Sequence, residues 1–194
     1  MLRLPSAMAV APLRPLAFAG TLLLLASALL ALLDKSNAPF TADEDAWVPV
    51  SFEPPLLASG PTFLLKPLGA ETAQIDYDAY MSSIEHLHRT YSPGWPNEKL
   101  TLEDQSRDMA GEAWQFENRR AFDYSVQTID GMRERGCLYI KPGTSEYDAM
   151  VSSWVTEPEF VAGFQEELLA WAKDWIATEF PFRRVRFAPL PPSV

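Results

Sequence analysis

The sequence predicts a mixed α+β fold, in which a largely antiparallel sheet is flanked by helices. Three long segments place apolar residues at three- and four-residue spacing, as amphipathic helices do. Five short segments are alternating or uniformly apolar, as strands are. Their order along the chain is β-α-α-β-β-β-α-β. Three strands in succession favour an antiparallel meander, and the final β-α-β unit requires a right-handed crossover if its strands are parallel.

Turn and capping residues bound these elements. The strands are predicted over 62–68, 122–127, 135–141, 147–156 and 183–188, and the helices over 72–91, 101–116 and 159–178. The second helix begins at Thr101, and Asp104 follows three residues later in the pattern of a capping box. Because polar and apolar residues alternate over the second strand, we expect that strand to be half-buried. Cys137, in the third strand, is expected to be a small buried residue.

The composition excludes several classes of function. Acidic residues outnumber basic ones by 26 to 16, whereas a surface that binds nucleic acid needs a basic patch. A single cysteine permits neither an intrachain disulfide nor a cysteine-rich zinc site. The two histidines, His86 and His88, lie two residues apart on a predicted helix and point about 200° apart. We therefore expect no nucleic-acid partner and no metal, with His86 exposed and His88 near the apolar stripe.

An uncharged segment over residues 15–33 is long enough to cross a bilayer. As a helix it would measure about 28 Å, close to the thickness of the hydrocarbon core. We expect an uncleaved transmembrane anchor; a cleaved signal peptide and a buried or wrongly translated extension are the alternatives. Arg3 and Arg14 precede the segment, so the N-terminus is expected in the cytoplasm. The rest of the chain would then be extracytoplasmic, or secreted if the signal is cleaved.

The whole chain divides into four predicted parts. Residues 1–33 form the anchor or signal, and residues 34–61 form a proline-rich tether whose apolar residues pack along the domain. Residues 62–188 form the folded domain, and residues 189–194 are a proline-rich tail.

Several local motifs resemble the GNAT (GCN5-related N-acetyltransferase) family. They read FLLKPL at 63–68, DYDAYMSSIEHL at 76–87, WP…LTLE over 95–103, GCLYIKP at 136–142 and YDAMVSSWV at 147–155. They are similar to a bacterial group of GNAT-like proteins, and the likeness extends over about 52–187. The element order resembles the first two-thirds of the GNAT fold. The resemblance implies a C-terminally truncated domain, since the residues after Phe187, 188–194, are too few for the family's last helix and strands.

The resemblance also implies a place for coenzyme A. GNAT enzymes hold its pyrophosphate on an R/Q-x-x-G-x-G/A loop between the fourth strand and the next helix. The corresponding stretch, 156–163, has one glycine, and Pro158 offers no N–H donor. Glu157 and Glu159 would repel a phosphate, or act simply as acids that complement a helix N-terminus. We therefore expect no cofactor, with acetyl-CoA as the cofactor only if the chain is an active transferase.

Three acidic residues are candidates for catalysis by this resemblance. Glu146 and Asp148 lie at the start of the strand that meets the acyl thioester in GNAT-like enzymes, where a general base is sometimes found. Glu85 would be a base near the substrate mouth. The competing interpretations are a solvated carboxylate for Glu85 and a bond to backbone or a neighbouring strand for Asp148.

Aromatic residues are the candidates for a ligand cleft. Trp95 lies in a proline-rich turn that borders the substrate cleft in the GNAT fold, and Tyr147 and Trp154 lie on the strand beside it. Aromatic residues at such turns also fill cores. Trp171 and Trp175, four residues apart on the third helix, are expected to be core anchors.

These expectations favour a non-catalytic binding or structural module held at a membrane. The alternative is an acyl-CoA-dependent N-acetyltransferase with an atypical phosphate loop. A third interpretation is a binder of a small ligand or peptide in the cleft where the central strands separate.

Overall fold

The computed structural model describes residues 47–188. Its strands are β1 Ala58–Ser59, β2 Phe63–Pro67, β3 Phe122–Thr128, β4 Glu134–Pro142, β5 Ala149–Val155 and β6 Val185–Phe187. Its helices are α1 Ala73–Met81, α2 Ile84–Thr90, α3 Leu102–Glu117, α4 Glu157–Val161 and α5 Phe164–Glu179. No helix within 47–188 is long and apolar enough to cross a membrane. The predicted anchor over 15–33 and the tail over 189–194 lie outside the described residues.

The six strands form one sheet in sequence order, from β1 to β6. Neighbouring strands are antiparallel except β5 and β6, which are parallel and joined by α4 and α5. This arrangement confirms the predicted α+β fold with a mixed, largely antiparallel sheet. It adds the short edge strand β1, which the sequence pattern did not predict because two residues carry no periodicity.

An irregularity between β3 and β4 decides which side chains share a face. Val126 pairs with Gly136, but the next residue, Gln127, pairs with Glu134, so Arg135 is an extra residue on β4. Such a bulge reverses the alternation of side chains along a strand. As a result Glu134 lies on the same face as Cys137, and Arg135 lies on the other.

Helices and loops cover both faces of the sheet. On the first face, α5 and the segment 47–57 enclose the larger core, which includes Phe63, Leu65, Phe122, Tyr124, Val126, Leu138, Ile140, Val151, Leu168 and Ile176. On the second face, α1, α2 and α3 cover Leu68, Ala79, Tyr80, Leu87, Met109, Cys137 and Trp154. Strand β3 is therefore buried on both faces rather than half-buried, and its polar residues lie beneath the helices.

Two predicted helices are each divided in two. The helix predicted over 72–91 is interrupted at Ser82 and Ser83, where α1 ends and α2 begins. The helix predicted over 159–178 begins earlier and is interrupted at Gly163, whose φ of +80° lies in the left-handed region. The capping box of Thr101 and Asp104 is present as predicted.

Three predictions about side-chain packing have different outcomes in the structure. Trp47 stacks on Phe122 with ring centroids 5.0 Å apart, so the described end of the tether packs along the domain as predicted. Trp171 and Trp175 pack against the core but remain half-buried at its edge. His86 is buried, contrary to prediction, because α4 brings Phe160 against it at 4.8 Å.

Candidate functional site

Polar side chains form two rows across the second face of the sheet. The strand register places Asp123 beside Tyr139, and Tyr139 beside Ser152. The neighbouring row contains Ser125, Cys137 and Trp154. Side chains opposite one another on adjacent strands are close enough to interact. These rows lie under α1, α2 and α3, which close over them from one side.

Four aromatic residues meet on this face, and we call them the aromatic cleft: Tyr91, Trp95, Tyr139 and Trp154. The Trp95 ring lies 5.6 Å from Trp154 and 5.5 Å from Tyr91, and Tyr91 lies 6.2 Å from Tyr139. The Trp154 Nε1 donates a hydrogen bond to the Tyr139 hydroxyl at 2.8 Å. Trp154 is buried, whereas Trp95 and Tyr139 are half-buried and Tyr91 is exposed. Rigid, partly exposed aromatic rings of this kind suit recognition of an apolar or planar group.

The tyrosines of the aromatic cleft are held in their neutral form. Although Tyr91 is 40% exposed, its partial removal from water raises its pKa to about 12, and a hydrogen bond with Ser152 acts in the opposite direction. Burial also raises the pKa of Tyr139 well above its usual range. Both hydroxyls therefore offer a hydrogen-bond donor to the cleft throughout the physiological pH range.

Asp123 is a buried acid next to the aromatic cleft. Its side chain is 1% exposed, and the Lys141 Nζ lies 3.3 Å from its Oδ2. Removal from water raises the pKa of Asp123 to about 8, with the Glu112 carboxyl acting in the same direction and Lys141 opposing it. An acid with such a pKa exchanges a proton near neutral pH. The sequence pattern assigned this residue to a solvent face, and only the helices on both sides of β3 reveal its burial.

A second buried cluster joins Asp76 on α1 to Glu134 and Cys137 on β4. The Cys137 Sγ lies 3.2 Å from Asp76 Oδ1 and 3.1 Å from Glu134 Oε1, and its single S–H can donate to either carboxyl. Gln105 donates to Asp76, and Ser125 donates to Glu134. One potential ligand atom from each of the three residues lies within 4.8 Å of the others. Because each carboxyl already has hydrogen-bond donors and burial raises the pKa of the thiol, the cluster is satisfied as a proton-sharing network.

The stretch predicted to correspond to the phosphate loop is a short helix tied to its surroundings. The Glu157 N–H donates to Ser83 Oγ at 3.0 Å, and the Thr156 N–H donates to the Arg135 carbonyl oxygen at 3.0 Å. The Glu157 carboxylate pairs with Arg89 at 3.2 Å. Two of the backbone donors at this position therefore already bind protein atoms.

Glu159 makes the firmest contact of this stretch. Its carboxylate accepts bonds from Arg135 at 2.6 and 2.9 Å and from Arg133 at 2.8 Å. Burial acts to raise the pKa of Glu159, but the two guanidinium groups hold it below its usual value. The Arg135 guanidinium also lies 3.4 Å from the Phe164 ring centre. The bulge in β4 turns the Arg135 side chain toward the first face of the sheet. There Arg135 anchors α4, through Glu159, and α5, through Phe164.

Only some of the residues predicted to form the catalytic site or the ligand cleft lie together in the structure. Trp95 and Trp154 meet in the aromatic cleft, whereas Tyr147 and Asp148 lie at the opposite end of β5. Asp148 accepts bonds from the backbone N–H groups of Arg183 and Arg184, both at 2.8 Å, and these lower its pKa against the effect of burial. This contact holds the start of β6 beside β5.

Three predicted residues lie in exposed or peripheral positions. The Glu85 side chain is 96% exposed and lies 4.0 Å from Arg89 on the same helix. Glu146 is exposed in the loop before β5, and Tyr147 lies 5.8 Å from the Arg186 guanidinium. Their roles in catalysis or ligand binding remain predictions.

Solved structures with the same fold are GNAT acetyltransferases. One is a ribosomal-protein-S5-alanine acetyltransferase from Vibrio fischeri, with a TM-score of 0.60 and 13% identity over 72% of this chain and 76% of that one. Another is a putative ribosomal-protein-serine acetyltransferase from Vibrio cholerae, with a TM-score of 0.57 and 11% identity over 73% and 78% of the two chains. No protein-family model matches the sequence, and no curated protein matches it at a significant level.

A third structure of this kind contains the coenzyme. Mycobacterium smegmatis RimJ, in complex with CoA-disulfide, has a TM-score of 0.55 and 16% identity over 68% of this chain and 64% of that one. At these identities the likeness shows the fold alone. The chain therefore has a GNAT-like α+β fold.

Proposed function

We propose that this protein is a GNAT-fold binding or structural module that does not hold coenzyme A in the manner of the transferases. The observation that carries the proposal is the state of α4, at the position where the family resemblance expects the phosphate loop. Its side chains and part of its backbone are bound to the protein itself.

The physical argument concerns donors and charge. A pyrophosphate site needs several convergent N–H groups and no nearby negative charge. Here the Glu157 N–H is bound to Ser83, and Pro158 has no N–H. The arginines that contact this stretch are already paired, Arg89 with Glu157 and both Arg133 and Arg135 with Glu159. A phosphate would have to displace a carboxylate that is buried, bidentate and lower in pKa than usual.

The alternative is an acyl-CoA-dependent N-acetyltransferase with an atypical phosphate loop. The last residue of β5 that pairs with β6 is Val151, and β5 continues for four more residues to Val155. Over these four residues, the edge of β5 that faces away from β4 pairs with no strand within 47–188. Asp123, with its pKa near 8, would be a suitable proton acceptor for an amine. Acetyl-CoA would be the cofactor in that case.

Calorimetric titration of the full-length protein with acetyl-CoA separates the two functions. We expect a dissociation constant weaker than about 1 mM, which corresponds to less than about 4 kcal/mol of binding. A micromolar dissociation constant would overturn the proposal and favour the acetyltransferase.

A double variant, Glu157→Gln with Glu159→Gln, tests the reason for weak binding. It removes two negative charges and frees Arg89, Arg133 and Arg135 for a phosphate, so affinity should increase if α4 faces the phosphate position. Glu98→Gln, at an exposed acid on another loop, is the control and should change nothing. If the double variant also changes nothing, the scarcity of glycines and backbone donors must explain the weak binding without a contribution from charge.

We further propose that residues 15–33 hold the protein at a membrane as an uncleaved helix, with the folded domain extracytoplasmic. The support is the uncharged length of this segment and the two arginines that precede it. After expression of the full chain, carbonate extraction should leave the intact protein in the membrane fraction. Recovery of uncleaved protein in the soluble fraction would refute the anchor, and a shortened secreted chain would indicate a cleaved signal.

A further inference from the structure

A groove of about 470 Å³ opens on the first face of the sheet, away from the aromatic cleft. One wall is the chain from Pro55 through β1, and the other is the outer side of α5. Trp171, Asp174, Trp175 and Glu179 face it at helical spacings of three and four residues, which place them along one side of α5. We call it the tryptophan groove.

The indoles of the tryptophan groove are fixed in place but not fully covered. Trp171 and Trp175 stack on each other with centroids 5.1 Å apart. Trp171 meets the Phe63 ring edge-on at 5.1 Å, and Trp175 meets Tyr124 edge-on at 5.3 Å. Both indoles are half-buried, so each keeps part of its surface toward the groove. Rigid indoles bind a partner without an added cost of ordering them.

The charges around the tryptophan groove are of one sign. Asp174 and Glu179 are exposed at its rim, and neither forms an ion pair within the described part of the chain. No lysine or arginine is among its described lining residues. Carboxylates beside partly exposed indoles are the surroundings that favour an organic cation, through ion pairing and cation–π attraction.

The edge strand that forms one wall of the groove favours an extended occupant. Strand β1, Ala58–Ser59, forms one wall and is the edge strand of the sheet, paired only with β2. Just before it, Leu56 and Leu57 are 70% and 59% exposed. An edge strand offers free backbone donors and acceptors to an added strand, and the two leucines offer apolar contact.

We propose that the tryptophan groove binds an extended peptide segment of a partner protein, with a lysine or arginine side chain against Trp171 and Trp175 and near Asp174 and Glu179. An apolar residue of the same segment contacts Leu57. This site is independent of the proposal about coenzyme A, because none of its lining residues belongs to α4.

Titration of the full-length protein with a short basic peptide tests the proposal. The probe is a five-residue peptide with lysines at its second and fourth positions, valine between them and glycine at both ends. We expect binding tighter than about 1 mM, weakened by added salt because the contacts are charged. The matched peptide with glutamine in place of lysine should bind at least about fivefold more weakly.

Variants at exposed positions locate the binding. Asp174→Asn with Glu179→Gln should weaken binding of the lysine peptide about three- to tenfold. Glu98→Gln with Glu117→Gln removes the same charge from exposed positions elsewhere and should have little effect. If the two double variants weaken binding equally, the attraction is a general effect of the acidic domain and the proposal fails.

A conservative change at an indole gives a second measurement. Trp171→Phe keeps an aromatic ring in the core edge but reduces the cation–π surface, so binding should weaken about two- to fivefold. The unfolding midpoint of each variant shows whether it is folded. Undiminished binding by the folded Trp171→Phe variant, or no binding of the lysine peptide at 1 mM, would contradict the proposal.

Discussion

Replacing Glu134 with glutamine should stabilise the protein increasingly as the pH rises. Glu134 and Asp76 are 1% and 3% exposed and lie in one cluster with Cys137. Burial raises the pKa of both carboxyls, and the Asp76 charge raises that of Glu134 further. Two adjacent buried carboxyls should therefore keep a shared proton at pH values where the unfolded chain has released both.

The size of the effect follows from this one proton. Because the folded-state pKa is raised, the stabilisation is fully present below the ordinary glutamate pKa of 4.5 and is lost as the pH rises toward the folded-state pKa. One retained proton changes the free energy of unfolding by about 1.4 kcal/mol per pH unit. Glutamine needs no proton, since its amide can donate to Asp76 while its oxygen accepts from Ser125.

Urea unfolding of the full-length protein, followed by tryptophan fluorescence at pH 5, 6 and 7, measures this difference. The free energy of unfolding of Glu134→Gln relative to the wild type should increase by about 1.4 kcal/mol for each pH unit. Glu85→Gln, the same change at a side chain that is 96% exposed, should run parallel to the wild type. Parallel curves for Glu134→Gln as well would refute the shared proton.

Three further changes test the sheet and its buried charges. Because burial raises the pKa of Asp123 to about 8, the wild type should lose stability as the pH rises from about 4 toward 8, and Asp123→Asn should flatten that part of the urea-midpoint profile. Gly136→Ala would place a Cβ against the Trp154 carbonyl oxygen, so we expect a loss of about 2–3 kcal/mol or a failure to fold, seen by thermal unfolding. Arg135→Ala removes the closer partner of Glu159 and should cost about 3 kcal/mol at pH 7, and less as the pH falls below the ordinary glutamate pKa of 4.5 and through the lowered folded-state pKa, where Glu159 becomes protonated.

Features that depend on neighbouring residues were predictable from the sequence. The order of the strands and helices agrees with the structure, apart from edge strand β1 and the two divided helices. The capping box at Thr101 and the burial of Cys137 were also predicted correctly. Such features follow from residue types a few positions apart, because turns, caps and amphipathic stripes are local patterns.

The candidate site was only partly predictable. Trp95 and Trp154 were selected for their residue type, but their meeting with Tyr91 and Tyr139 depends on how the turn at 92–97 lies over β4 and β5. Asp123 was not selected, because an acid in an alternating strand is typical of a solvent face. Its burial depends on α1 to α3 lying over that face.

The sequence by itself determined the class of fold and the scarcity of phosphate donors in the stretch 156–163. Only the tertiary structure decided which charges meet. The bulge at Arg135 turns Glu134 toward Asp76, 58 positions earlier, and sends Arg135 to Glu159, 24 positions later. A shift of one residue in strand register moves a side chain to the opposite face of a sheet, so contacts between distant residues depend on a register that local patterns do not specify.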